Sequence, residues 1–93
     1  MNESLRALIV DDEALARRGL ALRLQALEDV EVAGECRNGR EALTAIAELA
    51  PDLVFLDIQM PGMDGLDVVR ELQADALPLV VFVRSEERRV GKE

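Results

Sequence analysis

Apolar residues along the chain fall into four short runs, separated by stretches whose apolar positions recur at helical spacing. Leu5 to Val10 predicts a first strand, and Asp11, Asp12 and Glu13 follow it as loop and helix start, where acidic groups complement exposed amides. From Ala14 to about Leu27, the residues Ala16, Leu20, Leu24 and Leu27 form one stripe and Arg17, Arg18, Arg23 and Gln25 fall mostly opposite, predicting an amphipathic helix. Val30 to Cys36 alternates. Val30, Val32, Gly34 and Cys36 are expected on one face and Glu31 and Glu35 on the other, as in a half-exposed strand at a sheet edge. Asn38 and Gly39 predict a tight turn, and a helix follows from about Arg40 to Ala50 with Leu43, Ile46, Ala47 and Ala50 inward. Pro51 ends it, because the residue before proline is pushed out of helical dihedrals.

Leu53, Val54, Phe55 and Leu56 form an unbroken apolar run, expected of a central parallel strand buried on both faces, and the run ends on Asp57. After a loop rich in Gly and Pro, Asp64 is the expected N-cap of a third helix from about Leu66 to Ala74 that buries Leu66, Val69 and Leu72. Pro78 precedes Leu79 to Val83, a fourth strand with no polar alternation and so expected to be buried on both faces. The order βαβαβαβ calls for right-handed crossovers and a doubly wound parallel α/β sheet with helices on both faces. Ligands bind at the carboxyl ends of such strands, which is where Asp57 and the Asp11, Asp12 pair stand. Residues 84–93 break the pattern: seven of the ten are charged and only Val90 could join a core, so a charged tail is expected after a domain spanning 1–83.

Composition narrows the function. Ninety-three residues make one domain or part of one, and 49 % hydrophobic with 32 % charged residues marks a soluble globular class. The net charge of -8 repels nucleic acid and anionic membranes, and two Phe as the sole aromatics leave no base-stacking platform. No apolar run approaches the length needed to span a bilayer, so a reducing cytoplasm is the expected compartment. With no His, the usual transition-metal ligand sets are missing, and nothing is placed to activate the single cysteine. Cys36 is therefore expected to be a small apolar strand residue.

Asp11-Asp12, Asn38-Gly39-Arg40-Glu41-Ala42 and the run from Leu53 through Asp57 to Met60-Pro61-Gly62-Met63-Asp64-Gly65 closely resemble the receiver domain of bacterial two-component response regulators. The wording Asp11-Asp12-Glu13-Ala14-Leu15-Ala16-Arg17-Arg18-Gly19-Leu20 looks most like receivers attached to LytTR-type DNA-binding domains. The resemblance covers roughly Leu5 to Val83 and implies a flavodoxin-like fold with strand order 2-1-3-4-5, of which four of five strands are present here. That order sets the first and third strands side by side, so that Asp11, Asp12 and Asp57 share one pocket. It further implies that Asp57 accepts a phosphoryl group from a sensor histidine kinase, and that Asp12 and Asp57 bind Mg²⁺ directly. Asp11 would act largely through water, and the main-chain carbonyl of Gln59 would complete the set. The chain would then be a switchable phosphoacceptor of a phosphorelay rather than a turnover enzyme, regulating an output, transcriptional domain outside this sequence.

Elementary electrostatics leads to the same cation. Two carboxylates about 5 Å apart at an effective dielectric near 20 repel by roughly 3 kcal/mol, so three crowded together require one. An all-oxygen set selects a hard ion, and few carboxylates completed by water and phosphate oxygens suit Mg²⁺ better than Ca²⁺. Taken singly, an Asp at a strand end is ordinarily a loop or cap residue; the joint placement of three is what points to chemistry. Asp64 and Asp67 are expected to be capping and surface residues, Met60 and Met63 to pack the loop, and Gly62 and Gly65 to serve backbone geometry.

The sequence also departs from the receiver pattern. The family's Thr or Ser after the fourth strand is replaced by Arg84, with Ser85 one residue late, and no strand precedes Lys92 to give it the role of the family's Lys. A truncated chain is the expectation, with weakened phosphotransfer and an uncovered fourth strand prone to self-association. Three other readings stand beside it. A flavodoxin-like FMN-binding module needs a Ser/Thr/Gly-rich phosphate loop where Asp11, Asp12 and Glu13 stand. A haloacid dehalogenase-type phosphatase needs a second acid where Gln59 stands. An inert receiver fragment is the third.

Overall fold

The computed structural model describes residues 4–58, 60, 62, 65–72 and 78–83. In chain order these form β1 (Leu5–Val10), α1 (Ala14–Gln25), β2 (Val30–Cys36), α2 (Gly39–Leu49), β3 (Leu53–Asp57), α3 (Gly65–Glu71) and β4 (Leu79–Val83). The four strands make one parallel sheet in the order β2-β1-β3-β4. The chain steps one way from β1 to β2 and the other way through β3 to β4. Right-handed crossovers then force α1 onto one face and α2 and α3 onto the other.

The core divides accordingly. Ala7, Ile9 and Leu53 pack with Ala21 and Leu24 of α1, while Leu8, Val10, Val54 and Leu56 pack with Ala42 and Ile46 of α2 and Val68 of α3. Alternate residues of β1 and β3 thus serve opposite faces, which is why both strands read as unbroken apolar runs.

Strand positions agree closely with the sequence reading, and helix faces less so. Helix α1 ends at Gln25, and Leu27 is exposed beyond it, with Ala21 buried in its place. In α2 the inward residues are Ala42 and Ile46, flanked by Leu43, Ala45 and Leu49, whereas Ala47 and Ala50 are exposed. Ala50 takes a left-handed conformation at φ 47°, ending the helix one residue before Pro51. In α3, Val69 and Leu72 pack against the core as expected, but Val68 is the fully buried residue and Leu66 is half exposed. β2 is an edge strand as expected, but its faces are not as expected. Its pairing with β1 shifts between Ala7, opposite Val32, and Leu8, opposite Gly34, which leaves Ala33 as an extra residue. Val30 and Val32 therefore join the α1 side while Cys36 joins the α2 side. β4 is not buried on both faces among the described residues, since Leu79 is 67 % and Phe82 39 % exposed. The expected N-cap Asp64, Met63, the end of the third helix beyond residue 72 and the tail 84–93 lie outside the described residues.

Two polar devices hold α2. Asn38 is its N-cap, its side chain accepting the Glu41 N–H at 2.8 Å, and Glu41 Oε1 accepts the Arg37 N–H at 2.9 Å. That second bond holds the Glu41 carboxyl below its ordinary range. At the other end, the Arg6 guanidinium donates to the carbonyls of Leu49 and Ala50, tying the helix terminus to β1. Asn38→Ala is expected to lower stability by about 1 kcal/mol, read as a lower urea midpoint at unchanged slope. Cys36 is buried as expected; burial first, and then the Glu41 carboxylate, push its thiol up to about 11, against a smaller opposite pull from Arg17.

Candidate metal and phosphoacceptor site

Parallel register brings the acidic residues together. Ile9 of β1 lies opposite Phe55 of β3, and Val10 opposite Leu56. One step past these pairs come Asp11 and Asp57, on adjacent strands and on the α1 side of the sheet by the alternation of side chains. The C-terminal edge between β1 and β3 is also where the crossovers change direction, the position at which open α/β sheets bind ligands.

Asp11, Asp12 and Asp57 each offer a carboxylate oxygen, and the three oxygens lie within 4.8 Å of one another. Asp57 is 1 % and Asp11 6 % exposed, whereas Asp12 is exposed at the rim. The donor set is all oxygen and anionic, graded from buried to solvent. At that separation and an effective dielectric near 20, each pair repels by about 3 kcal/mol. A hard divalent cation fits these donors and relieves the crowding.

The loop after β1 is pinned by its backbone. The Asp11 N–H donates to the Cys36 carbonyl at 3.1 Å, Asp11 Oδ1 accepts the Glu13 N–H at 2.9 Å, and the Asp11 carbonyl accepts from Arg17 at 2.8 Å. Sequence spacing put Arg17 on the outer side of α1 and gave no sign of this bond. Its signal appears only once the end of β2 is known to lie beside the loop.

After β3 the chain turns back over the strand end. Ile58 donates its N–H to the Val83 carbonyl at 3.2 Å, and Gly65 donates to the Ile58 carbonyl at 3.1 Å. Gly62 takes φ +85°, a left-handed turn that glycine adopts without strain, and Met60, expected to pack the loop, is buried in the core on the α2 side. Gly65 opens α3 at close quarters. A Cβ there would stand 2.9 Å from the Asp57 carbonyl oxygen and 3.2 Å from the Ile58 Cα and a Phe82 ring carbon. Gly65→Ala gains up to about 1 kcal/mol in helix propensity, but overpacking against backbone costs about 1–3 kcal/mol. A net loss of stability is expected in urea unfolding, with Asp57 displaced. Gln59, whose carbonyl the resemblance assigned to the metal, lies outside the described residues.

Among the described residues no helix is long and apolar enough to cross a membrane.

Known proteins resemble this chain in sequence and fold. Over 79 residues the chain is 48 % identical to the transcriptional regulatory protein BtsR of Salmonella typhi, covering 85 % of this chain and 33 % of that protein. It is 49 % identical over 82 residues to protein-glutamate methylesterase/protein-glutamine glutaminase 5 of Myxococcus xanthus, covering 87 % of this chain and 24 % of that protein. The chain thus spans a third or less of the length of these relatives. The response regulator domain of Thermotoga maritima CheB superimposes with a TM-score of 0.81 at 33 % identity, over 89 % of this chain and 62 % of that one. A DNA-binding response regulator of the LuxR family from Staphylococcus aureus gives 0.77 at 32 %, over 86 % and 68 %. The family model described as the response regulator receiver domain matches residues 7–92. With the strand order, the acidic edge and these likenesses in agreement, the chain belongs to the response regulator receiver domain family.

Proposed function

We propose that Asp57 is the phosphoacceptor of this receiver, and that Asp11, Asp12 and Asp57 hold Mg²⁺ beside it, with the Gln59 carbonyl as a further ligand. The observation that carries this reading is the trio of carboxylate oxygens within 4.8 Å, with the most buried at the end of β3. Bound Mg²⁺ supplies positive charge to the oxygens of the incoming phosphoryl group. Asp57 supplies the nucleophile. One of its carboxylate oxygens attacks phosphorus as the bond to the donor imidazole nitrogen breaks, the electron pair stays on that nitrogen, and an acyl phosphate forms. Burial of Asp57 in the edge of a rigid parallel sheet fixes the line of attack, and in phosphoryl transfer positioning is most of the catalysis.

The donor is a sensor histidine kinase, and the output is a transcriptional domain of the LytTR type beyond this chain; BtsR, named a transcriptional regulatory protein, supports the first half of that output. Residues 1–83 act as the receiver unit, with 84–93 as a charged tail, in a cytoplasmic protein. Hydrolysis of the acyl phosphate is slow, so the chain is a switch rather than a turnover enzyme. The exposed apolar positions Leu79 and Phe82 on β4 favour self-association along that edge. Incubation with acetyl phosphate and Mg²⁺, followed by intact mass, is expected to show one added phosphate. An unchanged mass would overturn the proposal.

A further inference from the structure

We propose that Arg17 is a positioning residue for the cation site, acting with Glu35 as a charge-neutral strap between α1, β2 and the acidic loop. The inference rests on the Mg²⁺ reading above and concerns residues that the phosphoacceptor chemistry does not use.

Arg17 spends its guanidinium in two directions. One Nη donates to the Asp11 carbonyl at 2.8 Å, and Nε stands 3.4 Å from Glu35 Oε1. Its side chain is 15 % exposed, so both contacts are partly shielded from water, while Glu35 is 42 % exposed. As a surface ion pair this would contribute little. Its importance lies in which carbonyl it grips. The Asp11 carbonyl belongs to the planar peptide that joins Asp11 to Asp12, and a rigid peptide leaves only two soft dihedrals per residue. Orienting that plane orients the backbone of Asp12, the exposed and least enclosed member of the carboxylate trio. The Asp11 N–H is meanwhile fixed to Cys36, and Asp11 Oδ1 to Glu13, so the Arg17 bond completes the anchoring of the loop on β2.

A lone guanidinium so near a cation site would repel the ion. Glu35 offsets that charge. It reaches Arg17 because the extra residue Ala33 sets Gly34 and Cys36 toward α2 and Glu35 toward α1. Outer partners of this kind, which orient ligands without touching the metal, commonly change affinity by an order of magnitude.

The test is calorimetric titration of Mg²⁺ into wild type, Arg17→Met/Glu35→Gln and Arg17→Lys, with circular dichroism to confirm folding. The double variant removes the strap without changing net charge, and a dissociation constant raised about 10-fold is expected. Lys keeps the charge but not the two-armed fork, so Arg17→Lys is expected to recover less than half of that loss on a logarithmic scale. A readout without metal accompanies it: amide hydrogen exchange at Glu13 should quicken in the double variant. Unchanged Mg²⁺ affinity in the folded double variant, or full recovery by Lys, would overturn the strap. Absence of Mg²⁺ binding by wild type would instead overturn the metal reading on which it rests. If the double variant fails to fold, Arg17→Lys decides alone: affinity equal to wild type counts against the strap, and weaker binding supports it.

Discussion

Asp57→Ala is expected to take up no phosphate from acetyl phosphate under conditions in which the wild type gains one, the two compared by intact mass after equal incubation. Three carboxylates share the site, so the result depends on which of them can act as nucleophile. Asp12 stands exposed at the rim, where hydration blunts a carboxylate and leaves its direction loosely fixed. Asp11 has Oδ1 already occupied by the Glu13 N–H. Asp57 is the most deeply buried of the three, at the end of a strand paired on both sides. Loss of the nucleophile removes the covalent step altogether, whereas loss of either neighbour leaves it slowed. The Ala variant should keep its fold by circular dichroism, because removing one of three crowded carboxylates relieves part of their mutual repulsion before any cation binds. Equal labelling of variant and wild type would refute the assignment.

The largest effect on stability is expected at Leu8. It is fully buried on the α2 face, beneath Gly34 and beside Val54 and Leu56. Leu→Ala at such a site loses both transfer free energy and the contacts around the cavity, typically about 2–5 kcal/mol. A domain of 93 residues has a total of about 5–14 kcal/mol to lose. Leu8→Ala should therefore lower the urea midpoint by about a seventh at the least, and a shift below about 1 kcal/mol would mean that the two-layer core is not packed as described.

The strands and the acidic edge were legible in the sequence because parallel strands covered on both faces leave a coarse mark: an unbroken apolar run ending in a charge. Strand order came from the resemblance rather than from the residues. Helix faces were less legible. In α2, positions 42, 45 and 47 are all alanine, so hydropathy cannot rank them, and the seating of the helix on β1 and β2 decides which are inward. In α3 two adjacent valines follow Leu66, and packing against α2 chose Val68 over the larger Leu66. The two faces of β2 were misread because strict alternation was assumed across a strand that holds an extra residue. Arg17 was hidden for a related reason: its partners are backbone and a residue 18 positions away, neither of which leaves a periodic signal.

The extra residue in β2 also fixes what a change of length there would do. Val32 and Gly34 already stand opposite consecutive residues of β1, so a chain shortened by removing Ala33 would join them directly. Every other side chain of the strand would keep its side of the sheet, and Glu35 would still face Arg17. An insertion or deletion two positions on, at Glu35, would reverse the parity of the strand end and turn Cys36 out of the α2 core. Tolerance to length change along this edge is therefore set by single positions rather than by the strand as a whole.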